Sequence, residues 1–122
     1  MQIYLWVAAG GALGAVARFA MGVQAAAWFG PSFPWGTLVV NVLGGLVMGF
    51  LAATLAEADK SLRAFLLVGV LGGFTTFSAF SLEALRLFEQ SAFVSAFSYI
   101  TASVALSILA CFAGLALGRG LA

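Results

Sequence analysis

The sequence predicts an all-α membrane protein: a single domain, residues 1–122, of four transmembrane helices. Three observations carry this prediction. Hydrophobic residues make up 64% of the chain and charged residues only 7%, where a soluble domain carries about a quarter. So few charges cannot cover a surface in water, so the bilayer must act as solvent for most of the chain. Four apolar stretches each reach the roughly 20 residues needed to cross a hydrocarbon core, and turn-forming or charged segments separate them.

The first span covers about residues 3–27. Gly30-Pro31-Ser32-Phe33-Pro34 ends it, because proline cannot continue a helix and glycine permits the reversal. No basic segment precedes it, since the first charge is Arg18, so it reads as a retained helix rather than a cleaved signal. Gly10, Gly14, Arg18 and Gly22 recur at i+4 and share one face. The glycines suit close helix–helix contact. Arg18 on a protein-facing stripe reads as a cation at the mouth of an aqueous cavity, where it attracts anions.

The second span, about 35–56, contains no charge. Its Asn41 needs hydrogen-bond partners in an apolar setting. Two readings stay open there: an interhelical bond, or a donor lining a pore. Thr37, Asn41, Gly45 and Gly49 share a face, so one contact can serve both. The most polar stretch of the chain follows, with Glu57, Asp59, Lys60 and Arg63.

The third span, about 62–89, should break near its middle. In Gly72-Gly73-Phe74-Thr75-Thr76, two glycines and two threonines oppose a continuous helix. One half should end near Gly72 and the next begin near Thr76 or Ser78. Irregular backbone at membrane depth is tolerated only inside protein or beside water. Carbonyls freed there suit a small cation without any carboxylate. Phe77 and Phe80 share a face beside the break and are candidate cavity linings. Glu83 lies one turn beyond, either paired with Arg86 at i,i+3 or acting on an ion at the pore exit.

The fourth span, about 91–118, repeats a polar residue every four positions: Ser91, Ser95, Tyr99, Ser103, Ser107 and Cys111. Such a line of hydroxyl donors without a carboxylate suits a small anion. Short connections make neighbouring spans antiparallel. One side then carries Lys60, Arg63 and Arg119, and the other Arg86, with Arg18 in the half of its span nearer to it. That balance leaves both a single orientation and a dual one open.

Several classes are excluded. Net charge is +1, with no basic patch for nucleic acid. With no histidine and one cysteine there is no His/Cys metal centre and no Ser-His-Asp or Cys-His nucleophile, so an enzyme is not expected.

Three motifs, 10-GGALGAVARF-19, 36-GTLVVN-41 and 72-GGFTTFSAF-80, together resemble the Fluc (CrcB) family of fluoride channels. The third is the most specific, and the resemblance spans the whole chain. It implies a fluoride-selective passive channel in the cell (inner) membrane, formed by an antiparallel, dual-topology homodimer with two pores. It implies pore roles for Asn41, Phe77, Phe80, Tyr99, Ser103 and Ser107, and a vestibule role for Arg18. It also implies a structural sodium ion (Na+) at the dimer centre, on the backbone carbonyls of Gly72 and Thr75. Phe19 stands where the family commonly has Tyr, and Ala79 where it commonly has Thr. The rival is a small dual-topology, proton-coupled multidrug transporter. That class needs a membrane-embedded carboxylate, and Glu83 is the only acid placed to serve.

Overall fold

The computed structural model describes residues 1–121, and every described element is helical. Helix α1 is Gln2–Phe29 and α2 is Trp35–Thr54. Helix α3 covers 60–74, and its middle, Ala64–Leu71, is wound as a π-helix. Helix α4 is Ser78–Glu89 and α5 is Phe93–Leu121. Together α3 and α4 form the third of four spans long and apolar enough to cross a membrane.

The ends are set by local chemistry. Gly30, at φ 81°, closes α1 with its N–H on the Ala26 carbonyl, 2.9 Å away. Helix α2 stops two residues before the predicted end. There Arg63 reaches back and donates from Nη1 to the carbonyls of Leu55 (3.0 Å), which also accepts from the Ala58 N–H, and Ala56 (2.8 Å), just past the helix end. Asp59 caps α3 by accepting from the Ser61 N–H at 2.9 Å. Ser91 at φ 59° delays α5 to Phe93. At its far end α5 runs past Arg119, because a cation in the last turn favours the helix dipole rather than ending the helix.

Glycines let the backbones touch. A Cβ on Gly10 would lie 2.9 Å from the Val70 nitrogen, and one on Gly14 would lie 2.8 Å from the Phe74 nitrogen, so α1 sits directly on α3. Helices α2 and α5 interlock in the same way. A Cβ on Gly49 would meet the Leu115 nitrogen at 2.8 Å, and one on Gly114 the Phe50 nitrogen at 2.9 Å. Gly114 and Gly118, four apart, supply the half of this contact that the sequence reading did not single out. Gly22 is itself open, but its Cα leaves only 2.8 Å for a Cβ on Gly36, so it still marks where α1 meets α2.

The buried apolar cluster is small. Phe80, Ala84 and Leu87 of α4 pack with Leu38 of α2 and with Ala96 and Tyr99 of α5. Most other large apolar side chains point outward, as suits a protein solvated by lipid. This cluster holds α4 against α5 and so fixes the far side of the break.

Candidate functional site

The third span is interrupted at Thr75 and Thr76. Thr75 adopts an extended conformation (φ −89°, ψ 159°), ending α3, and α4 resumes at Ser78. The interruption therefore starts two to three residues later than the glycines suggest, since Gly72 and Gly73 remain helical.

Where the backbone bonds go at this break defines the site. The Thr75 N–H and Oγ1 both donate to the Leu71 carbonyl, at 3.0 and 2.9 Å, which completes the last turn. In a continuous helix the Gly72 carbonyl would then accept from Thr76. Instead the Thr76 N–H donates to Asn41 Oδ1 at 2.8 Å, while Asn41 Nδ2 donates to the Thr76 carbonyl at 2.9 Å. The Gly73 carbonyl accepts from Arg18 Nε at 3.1 Å. The Thr75 carbonyl would be the helical partner of Ala79, but the Ala79 N–H goes to Thr76 Oγ1 at 3.1 Å, which satisfies one of the free donors in the first turn of α4. Gly72 and Thr75 thus lose their helical donors to side chains, and these are the two residues whose carbonyls the sequence reading expected to hold a cation. Gly72 lies on the exposed side of the chain, where an added Cβ would approach only the Leu67 oxygen, at 3.9 Å.

A cavity of about 570 Å³ opens beside the break. Asn41, Thr76, Phe77, Phe80, Ser103 and Ser107 contribute to its lining, together with Gly72 and Thr75. Among the described residues, no charged side chain lines it. The Ser103 and Ser107 hydroxyls are buried and make no hydrogen bond among the described residues. Such a group costs about 1–3 kcal/mol unless something else satisfies it. The rings of Phe77 and Phe80 lie 5.4 Å apart at 46°. Phe80 is 8% exposed and Phe77 is 76% exposed, so the cavity is open on the Phe77 side of the single chain.

Phe80 leads on to Tyr99, ring to ring at 5.2 Å. Tyr99 is fully buried, and its hydroxyl donates to Glu83 Oε1 at 3.4 Å. The same oxygen accepts from Thr37 Oγ1 at 2.6 Å. Thr37 and Glu83 line a second cavity of about 180 Å³ beneath the turn between α1 and α2. Thr37 also joins Arg18 in lining a third cavity, of about 350 Å³. Glu83 is therefore engaged across helices by two hydroxyls, where the i,i+3 reading placed it with Arg86 on its own helix.

The structure thus gathers Asn41, Phe77, Phe80, Ser103 and Ser107 at one cavity, links Tyr99 and Glu83 to it through Phe80, and sets Arg18 on the break itself. Sequence reasoning missed three contributors. Thr76 takes both bonds of Asn41 and accepts the Ala79 N–H in the first turn of α4, Thr37 holds Glu83, and Phe33 packs edge-on against Tyr99 at 5.5 Å. The Thr37 and Phe33 contacts carry no local signal, because they depend on which faces meet.

Several known proteins are similar to this chain over nearly its whole length. A family model described as CrcB-like protein, Camphor Resistance (CrcB), matches residues 5–115. A protein of Caulobacter sp. (strain K31) is 56% identical over 123 residues, covering 98% of this chain and 96% of its own. One from Phenylobacterium zucineum (strain HLK1) is 53% identical, covering 98% and 97%. One from Rhizobium meliloti (strain 1021) is 52% identical, covering 99% of each. All three carry the name Fluoride-specific ion channel FluC.

Proposed function

The chain belongs to the CrcB-like family, and from that premise we propose that it is a passive, fluoride-selective channel that lets cytoplasmic fluoride leave the cell and so lowers its toxicity. It is a channel and not an enzyme. One observation carries the reading at the level of residues: two buried, unpartnered hydroxyls, Ser103 and Ser107, line an uncharged cavity with Asn41, Phe77 and Phe80.

Fluoride holds its water tightly, so a pore must offer donors in exchange. Hydroxyls and an amide N–H do so without a fixed charge, and an ion bound this way can still leave. The positive edges of Phe77 and Phe80 add weak attraction of the same kind. Tyr99 extends the line of hydroxyls toward Glu83 at the exit, and Arg18 raises the local anion concentration at the vestibule. Neutral HF enters cells and dissociates in a neutral cytoplasm, which traps the anion. A negative-inside potential then drives fluoride out by about 2.3 kcal/mol per 100 mV, with no ATP.

The working unit is an antiparallel, dual-topology homodimer in the cell (inner) membrane. Support comes from the open side of the cavity, where Phe77 and Gly72 are exposed in the single chain, and from the near balance of basic residues at the two ends. A second, inverted copy covers that side and brings the two breaks together. The free Gly72 and Thr75 carbonyls fit a sodium ion at the centre: they are hard, neutral oxygens stripped of their helical donors. Bound there, sodium would supply fixed positive charge at the heart of the dimer.

The rival reading, a proton-coupled multidrug transporter, is not favoured. The relatives are named as fluoride channels, and Glu83 is tied to two hydroxyls beside the pore. Expression in cells that lack a fluoride exit tests the proposal. Growth in fluoride medium should return, and Phe80→Ile should abolish the rescue. No rescue by a membrane-inserted parent chain would sink it.

A further inference from the structure

Both hydrogen bonds of the Asn41 carboxamide go to one residue of the break. Oδ1 accepts from the Thr76 N–H and Nδ2 donates to the Thr76 carbonyl. The turn before it is intact, because Gly72 and Gly73 are helical and the Thr75 N–H still reaches Leu71 at 3.0 Å. The helix fails at the one donor that Asn41 takes. Without that acceptor, the nearest partner for the Thr76 N–H along the chain is the Gly72 carbonyl, through an ordinary helical bond.

We infer that Asn41 is a positioning residue for the main-chain cation site: it keeps the Gly72 carbonyl free by holding the N–H that would otherwise close on it. The inference rests on the reading that sodium binds the Gly72 and Thr75 carbonyls. It gives Asn41 a task separate from contact with the anion. A carboxamide has two N–H donors. One is spent on Thr76, and the other remains for the cavity that Asn41, Gly72 and Thr75 line together. The cation site and the anion cavity therefore share one side chain.

Sodium content separates this from a pure anion-donor role. The purified protein is dialysed into N-methylglucamine chloride and its sodium measured by atomic emission, for the parent, Asn41→Leu and Asn41→Asp. Leu removes both bonds at similar bulk, whereas Asp keeps an acceptor for the Thr76 N–H. The parent and Asn41→Asp should retain sodium. Asn41→Leu should lose about fivefold in sodium affinity, the worth of one hydrogen bond of ordinary strength, and excess NaCl should restore its occupancy. Equal sodium in the parent and Asn41→Leu overturns the inference and leaves the cation reading standing. A parent chain without sodium overturns both. Should Asn41→Leu fail to fold, Asn41→Ala decides, because it removes the same two bonds without adding charge: sodium lost on dialysis and restored by excess NaCl supports the inference, and sodium equal to the parent's overturns it.

Discussion

The Thr37 hydroxyl donates to Glu83 across 2.6 Å, joining α2 to the far half of the third span. The same carboxylate oxygen takes the Tyr99 hydroxyl from α5, so three helices meet at one atom. Thr37→Val keeps the shape and removes the strongest of these bonds. It should destabilise the protein by about 1.5–3 kcal/mol, the range for a bond to a charged group, and, on the proposal that Glu83 stands at the pore exit, should slow fluoride flux. Thermal unfolding in detergent, measured beside flux, checks both effects. An unchanged midpoint would show that the bond carries no net energy.

Ser103 and Ser107 make an opposite prediction for stability. Each hydroxyl is buried without a partner among the described residues. Ser103→Ala and Ser107→Ala should leave stability unchanged or raise it by up to about 1 kcal/mol, yet each should lower fluoride flux. Loss of stability with flux intact would make them packing residues.

The two phenylalanines should separate by the same pair of readouts. Phe80 packs between Phe77 and Tyr99 within the apolar cluster, so Phe80→Ile should cost about 1–3 kcal/mol as well as flux. Phe77 is 76% exposed in the single chain, so Phe77→Ile should lose flux with little loss of chain stability. If both variants conduct like the parent, the aromatic edges do not face the ion.

On α1, two neighbouring glycines should respond differently. A Cβ on Gly14 would stand 2.8 Å from the Phe74 nitrogen, at the last turn before the break. A Cβ on Gly11 meets nothing within 4 Å. Gly14→Ala should cost about 1–3 kcal/mol through overpacking, and Gly11→Ala should be tolerated. Expression level and unfolding midpoint distinguish them.

Much of this was legible in the sequence because the bilayer simplifies the problem. Long apolar runs between Pro31, the charged segment at Glu57–Arg63 and Gln90 leave little choice of spans. The break was legible as a cluster of poor helix formers, but its position was not. Propensity points at Gly72, whereas the backbone yields at Thr75 and Thr76, where Asn41 and Arg18 offer competing partners from other helices. The π-helical winding of Ala64–Leu71 and the attachment of Glu83 to Thr37 escaped for the same reason. Each depends on which faces meet, and no local pattern records that.

The inverted dimer predicts that Lys60, in the polar segment before α3, is reached from both sides of the membrane. A cysteine placed there in a Cys111→Ser background should be labelled by an impermeant maleimide to about half in intact cells and fully after lysis. Labelling confined to one side would exclude dual topology.

Fluoride efflux from liposomes tests the central claim most directly. Vesicles loaded with potassium fluoride or potassium chloride are diluted into fluoride- and chloride-free buffer, and valinomycin then releases the counter-ion. Electrodes for the two anions follow their release. The parent chain should empty fluoride rapidly with no proton gradient or ATP, leave chloride behind, and lose its activity in Phe80→Ile. Equal release of the two anions, or fluoride release that requires a proton gradient, would contradict a passive fluoride-selective pore through the cavity at Ser103, Ser107 and Asn41.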